Sequence, residues 1–344
     1  VNLLIVSETK MTSTKNNSKL NELLQAGGYD ASDGIDSLIP SHLKQLSRPV
    51  IRRVRMLKKI QAQSLEIESQ FYKELHELEM KYQPLYDAVN AKRTAIVRGE
   101  MELTDADGEL PPLVSELEPQ TLEKLEESAP VEGGEPSKGI PGFWFNTLNM
   151  YASISDIIKE YDEPILKYLV DITSEVNKEP TGFSLFFHFA ENPYFTNAVL
   201  TKHYEVNLDV DPQKPFSYDG PTIVKSQGCD IDWKDGKNVT QKIVKKKQKK
   251  GAQAGKYVTK TVTNESFFNF FDPKVTTITE EMDDIEEQKT NDDFEVGQII
   301  REQLIPRAVL FFTGEAAEED EYDEFDDEEE MGDEQSEEED NAMH

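Results

Sequence analysis

The chain has 344 residues, a formal charge of -31 and 37% hydrophobic residues, enough for a real core but not for a wholly ordered chain. So negative a field repels nucleic acid and membrane surfaces and attracts basic partners. The lone cysteine, Cys229, excludes an internal disulfide framework and a thiolate zinc cluster and suits a reducing compartment.

Residues 1–47 are rich in Ser, Asn, Asp and Gly and are expected to be disordered. The opening Val1–Val6 run lacks a basic leader and is too short for a signal peptide. Residues 48–99 read as one long helix. From Pro49 to Arg98 there is no Gly and a single internal Pro, Pro84, which predicts a kink. Val50, Val54, Leu57, Leu65, Tyr72, Leu75, Leu78, Tyr82, Leu85 and Val89 recur at helical spacing, and Ile60, Ile67 and Phe71 widen the stripe. About 50 residues at 1.5 Å each give a rod near 75 Å, too long for one compact domain to cover. The economical partner is a second copy, so a homodimer joined through Val54, Leu57, Leu65, Tyr72, Leu75, Leu78 and Tyr82 is expected. The alternative is a helix folded back on its own domain.

Residues 100–138 are acidic and carry Pro111, Pro112, Pro119, Pro130, Pro136, Gly133 and Gly134, the composition of a linker or poorly ordered insertion. Residues 139–314 read as an α+β domain. Helices are expected at Phe143–Tyr151 and Ile154–Leu169. Strands follow around Val170 and Ile172, at Phe183–Phe189 and at Ala198–Leu208, with short connections that favour antiparallel pairing. A lysine-rich hairpin occupies 237–263, with arms at Thr240–Lys246 and Tyr257–Thr263. The last helix is expected at Phe294–Phe312. Residues 315–344 form an acidic tail, expected to be disordered, with 18 acids and no Lys or Arg between Glu315 and Asp340. The expected fold class is therefore α+β: a long dimerisation helix, an antiparallel-sheet domain with flanking helices, and an acidic disordered tail.

No catalytic pattern emerges. HExxH, P-loop, dinucleotide and GxSxG motifs are absent from the sequence. His188 and His203 sit in expected strands and read as packing residues. Asp105-Ala106-Asp107-Gly108 fails as a calcium loop because Leu103 stands at its first ligand position. The chain is thus expected not to be an enzyme and to carry no cofactor, metal or catalytic residue.

Three binding features stand out. The tail places Tyr322 and Phe325 among Asp323, Glu324, Asp326 and Asp327, either as aromatic anchors for a basic partner or as a solvated run. Glu280, Glu281, Asp283, Asp284, Glu286, Glu287, Asp292 and Asp293 either rim a binding surface or form a mobile charged loop. Ten lysines lie between Lys234 and Lys260, centred on Lys245, Lys246, Lys247, Lys249 and Lys250. They read as a nuclear import signal, a DNA-binding ribbon or a contact for the acidic tail. The global charge opposes stable DNA binding and favours import.

Several segments are similar to one known family. Phe187-His188-Phe189 through Asn192-Pro193-Tyr194-Phe195-Thr196-Asn197 to Val199-Leu200-Thr201-Lys202 resembles the nucleosome assembly protein family. So do GCDIDWKDGKNVT from Gly228, ESFFNFFDP from Glu265, IPRAVLFFTGEA from Ile305 and FYKELHELEMKY from Phe71. The resemblance spans residues 48 to 325. It implies a homodimer built on the long helix, binding of core histones, removal of non-nucleosomal histone–DNA contacts, and shuttling between cytoplasm and nucleus. It places the lysine hairpin at the family's import signal, with import receptors as further partners. Gly142 stands where the family usually has an acid, and Pro84 where its helix commonly continues. The C-terminal Asn341-Ala342-Met343-His344 lacks a prenylation box, so no membrane partner is expected.

The function expected is that of an ATP-independent histone chaperone acting by competitive shielding, which promotes nucleosome assembly and histone transport. Two other readings stand beside it. One is a regulator like the SET-type phosphatase inhibitors, and the other is a general chaperone for basic proteins.

Overall fold

The computed structural model describes residues 39–101, 110–115, 117–128, 138–247, 257–272, 274–279 and 282–316. The expected disorder of 1–47 and of the tail falls almost wholly outside them.

Helix α1, Arg48–Val97, is a single 50-residue helix. Ser47 precedes it with extended backbone and Pro49 sits in its first turn, where a missing N–H costs nothing. It runs through Pro84 without a break. It stops where Gly99 takes a φ of 65°, and Gly99 N–H donates to Ile96 O at 2.9 Å. Gly139 also has a φ of 65°, and a Cβ added to Gly99 would lie 2.4 Å from Gly139 N. The two ends of the 100–138 insertion therefore meet backbone to backbone, a closure that only glycine permits. Within the insertion lies helix α2, Pro119–Ser128. Composition alone predicts a linker or poorly ordered insertion here. Pro119 opens the helix instead of breaking it, and the prolines and glycines lie outside its interior.

Five strands form one antiparallel sheet in the order β1-β2-β3-β4-β7: Leu169–Asn177, Gly182–Phe189, Val199–Asn207, Thr222–Gln227 and Thr276–Thr277. Ile172 faces Phe187, Ser174 faces Leu185, and Phe187 faces Leu200 across the ladder. Strands β5, Gln241–Lys247, and β6, Tyr257–Thr263, pair antiparallel as a separate ribbon. The sequence reading missed β4 and β7. In β4 only Ile223 and Ser226 are buried, and β7 is two residues long at the sheet edge, so neither carries an alternating apolar pattern.

The core lies on one face of this sheet. Phe187 and Phe189 of β2 meet the 3-10 turn Phe267–Phe271, whose four phenylalanines are all buried, while Phe183 packs on Tyr204 and Phe294. Asp162, wholly buried, fixes this turn by accepting from Ser266 Oγ at 2.6 Å and from Phe267 N at 2.8 Å. The same carboxylate accepts from Lys159 N at 3.0 Å. These bonds explain a correction: instead of a helix across Ile154–Leu169 there are two single turns, Ala152–Ser155 and Glu163–Leu166. Helix α3, Phe143–Asn149, and helix α5, Ala308–Thr313, pack together, with Phe143 stacked on Phe312 at 4.9 Å.

The C-terminal half of α1 lies along the outer edge of β1. His76 Nε2 is 2.9 Å from Asn177 O, Gln83 Nε2 donates to Ser174 O at 3.0 Å, and Thr94 Oγ1 lies 2.7 Å from Asp171 Oδ2. Carbonyls that an edge strand would leave bare are thereby covered. Arg301 pairs with Glu79 at 2.5 Å, and Arg93 lies 5.0 Å over the Trp144 ring, so the helix is also joined to the domain's far elements.

Candidate functional site

Helix α4, Asp284–Ile299, gathers the acids of the folded region. The helix expected over Phe294–Phe312 is instead two: α4 begins ten residues earlier and ends at Ile299, and after a π-helical turn at Ile300–Leu304 helix resumes only at Ala308 in α5. Asp283 caps it, its Oδ1 accepting from Ile285 N at 3.1 Å and Glu286 N at 2.8 Å. Asp284, Glu286 and Glu287 fill the first turn, where the helix dipole favours negative charge. These acids thus start a helix, and are not a mobile loop. Asp283, Asp284, Glu286, Asp292 and Glu295 are exposed, while Glu287 is half-buried.

The inner face of α4 is anchored by Thr290, Phe294, Gly297 and Ile299. A Cβ built on Gly297 would lie 2.4 Å from the Tyr204 ring, so the helix backbone sits directly on β3. Asp293 turns inward. Its Oδ1 lies 2.8 Å from Lys202 Nζ, and Tyr204 donates its hydroxyl to Asp293 O at 2.7 Å. Burial raises the Asp293 pKa against the opposing pull of Lys202, and burial raises that of Tyr204 well above its usual value. Asp293 is therefore a structural member of the acidic set, and the outer-face acids are the accessible ones. Glu280 and Glu281 lie outside the described residues.

A second acidic locus went unnoticed in the sequence. The loop after β3 brings Asp209 and Asp219 near Glu68 of α1, around Tyr72 and Tyr218. Burial, then Glu68, pushes the Tyr218 hydroxyl up to about 12. Tyr72 is raised by burial, Glu68 and Asp219. Ser69 Oγ closes the contact by donating to Leu208 O at 2.6 Å. Asp209-Val210-Asp211-Pro212 was the available signal, but its partner on α1 is 141 positions away.

The match to known proteins is extensive. The family profile described as nucleosome assembly protein covers residues 52–315. The chain belongs to the nucleosome assembly protein family. Nucleosome assembly protein 1-like 4 of Mus musculus is 44% identical over 299 residues, which is 84% of this chain and 80% of that protein. Nucleosome assembly protein 1-like 1-A of Xenopus laevis is 45% identical over 287 residues, 82% of this chain and 73% of that protein. Among solved structures, nucleosome assembly protein 1 from Plasmodium knowlesi is 28% identical, with a TM-score of 0.47 over 78% of this chain and 99% of that one.

In this family member the long helix has two apolar faces. The inner one carries Ser69, Tyr72 and Val97, all buried. The outer one carries Met56, Ile60, Ile67, Phe71, Leu78, Tyr82, Leu85 and Val89, all exposed, at steps of three, four or seven. Leu57 is exposed as well, whereas Val54, Leu65 and Leu75 are half-buried at the border. The sequence stripe merged these faces. Tyr72 packs on the domain of its own chain, beside Gly220, and so does not belong to the outer face. The start of α1 is basic, with six Lys or Arg and no acid between Arg48 and Lys59, a feature that the sequence reading passed over.

Lys245, Lys246 and Lys247 lie in β5, where their side chains are not described, and Lys249 and Lys250 lie outside the described residues. So do Tyr322, Asp323, Glu324, Phe325, Asp326 and Asp327. Among the described residues no group of three or more His, Cys, Asp or Glu is placed to hold a metal, and no helix is long and apolar enough to cross a membrane.

Proposed function

We propose that this chain is a histone chaperone that binds core histones through the outer face of α4, aided by the acidic tail. The observation that carries this reading is the row of exposed acids on α4, held firmly by the inner contacts of Asp293, Phe294 and Gly297. A histone dimer is strongly basic and binds DNA partly through counterion release. An acidic surface that covers the same basic faces competes with disordered histone–DNA contacts. A correct nucleosome binds more favourably still, so transfer runs downhill without ATP. The relatives' names support the assembly role.

The protein acts as a homodimer through the outer apolar face of α1, which extends about 50 Å from Met56 to Val89. The lysine hairpin serves nuclear import, and the chaperone shuttles between cytoplasm and nucleus. No catalytic step is required.

The test is binding of purified histone pairs to the full chain and to a variant with Asp284→Asn, Asp292→Asn and Glu295→Gln, the exposed acids of the outer face. Three exposed charges, each contributing about 0.2–1 kcal/mol, should weaken binding roughly tenfold. Unchanged affinity would remove α4 as the site. Equal affinity for an unrelated basic ribosomal protein would instead make the chain a general chaperone.

A further inference from the structure

A cleft of about 500 Å³ opens at the end of α1, and none of its walls comes from α4. Arg98, Lys138 and Lys167 line it beside the apolar Leu169 and Phe189, with His188, whose charged form burial disfavours; no carboxylate is in its wall, and Asp171, which faces His188, is hydrogen-bonded to Thr94. This is a concentration of positive charge within a chain of charge -31. Arg98 Nε is buried there with no hydrogen-bond partner among the described residues. Such a donor is costly to leave unpaired, and an incoming anion would satisfy it.

We infer that this cleft is a docking site for the acidic C-terminal segment of the same chain, centred on Asp320-Glu321-Tyr322-Asp323-Glu324-Phe325. Charge complementarity is one argument. Shape and polarity are another, because the cleft combines cations with an apolar floor and the segment combines carboxylates with two aromatic rings. Position is a third. Phe312 stacks on Phe143, the neighbour of Gly142 in the cleft wall. The chain thus leaves α5 about one short helix from the cleft, and α3 with seven residues is about 10 Å long. The eight residues from Glu315 to Tyr322 can span about 25 Å. A tethered segment also competes at an effective concentration in the millimolar range. Docked there, the tail is withheld from solvent until a basic partner draws it out.

Zero-length carbodiimide coupling of the full chain, without histones, tests this. The reagent condenses a lysine amine with a carboxyl group, losing water, only when the two touch. Mass spectrometry should find Lys138 and Lys167 joined to acids between residues 318 and 327. These links should be lost in the full chain carrying Tyr322→Ser and Phe325→Ser, changes that leave every charge and the folded domain intact. They should also vanish near 1 M salt, where screening acts within about 3 Å. Coupling spread evenly over exposed lysines such as Lys178 and Lys274, or concentrated on the 245–250 lysine run, overturns the inference. Coupling that survives loss of both aromatics also overturns it. A mixture of heavy-isotope and ordinary chains identifies the donor of the tail, and links between heavy and light peptides would overturn docking within one chain. Because no histone is present, this result stands or falls separately from the histone reading.

Discussion

The Lys202 ammonium, whose side chain is 5% exposed, meets Asp293 Oδ1 at 2.8 Å and lies 4.9 Å over the Phe270 ring. Tyr204, two residues further along β3 and therefore on the same face, bonds the backbone of the same Asp293. One strand thus holds one residue of α4 by two side chains, which fixes the row of acids on the opposite face of the helix. Asp293→Ala would strand a buried cation and should cost about 3 kcal/mol. Replacing both partners, Lys202→Met with Asp293→Leu, should cost clearly less, because no charge is then left behind. Urea midpoints at one fixed protein concentration measure both. A single substitution that costs no more than the double one would show that the pair does not hold the helix.

Gly297→Ala tests the other anchor. The added methyl would meet the Tyr204 ring at 2.4 Å, so helix or ring must move. Overpacking of this kind costs about 1–3 kcal/mol, although alanine is otherwise the better helix former. An exposed glycine would respond in the opposite direction. A raised melting temperature in the variant would therefore contradict the close seating of α4 on β3.

The legible parts of this molecule were those with periodic apolar patterns. The long helix, β2 and β3 all follow such patterns, and motifs such as Glu265–Pro273 carried the family resemblance. The start of α4 was illegible because Asp284-Ile285-Glu286-Glu287 has no apolar period, although Asp283 with acids in the following turn is a start signal. The partition of the acids was hidden for a different reason. Nothing local distinguishes Asp292, which is exposed, from Asp293, which is committed to Lys202 91 positions earlier. The cleft at Arg98 was invisible too, since its cations come from the end of α1, the return of the insertion and the approach to β1.

His188 gives a pH prediction. Burial lowers its pKa, with Asp171 opposing and Arg98 assisting, and its Nε2 lies 3.0 Å from Thr173 Oγ1. A histidine with a lowered folded pKa takes up its proton more readily in the unfolded chain. Its stabilising contribution is present above the unfolded pKa of about 6.5 and is lost as pH falls from there toward the folded value. Asp171, which faces it, is raised by burial, and that term has the opposite sign, acting from the ordinary carboxylate range up to its raised value. His188→Gln removes the histidine term. Between about pH 7.5 and pH 5.5 the wild-type melting temperature should fall relative to that of the variant. Parallel curves would show that His188 does not couple protonation to folding.

The two faces of α1 call for two different responses to substitution. Ile67 is 72% exposed and Leu78 is 47% exposed in the single chain, and both lie on the outer stripe. Tyr72 is 8% exposed and faces its own domain. Ile67→Glu with Leu78→Glu places two charges in the proposed seam between subunits. Light scattering should then report about half the wild-type mass, while far-ultraviolet dichroism retains the helix signal, because glutamate is itself a good helix former. Tyr72→Ala should do the reverse. It removes a buried aromatic from the contact between α1 and its own domain, at a cost of about 3 kcal/mol, and leaves the mass unchanged. Comparison at matched protein concentrations is essential, since the stability of a dimer depends on concentration. An unchanged mass in the double glutamate variant would sink self-pairing through this face. A dissociated Tyr72→Ala protein would place the seam on the inner face and reverse the assignment of the two stripes.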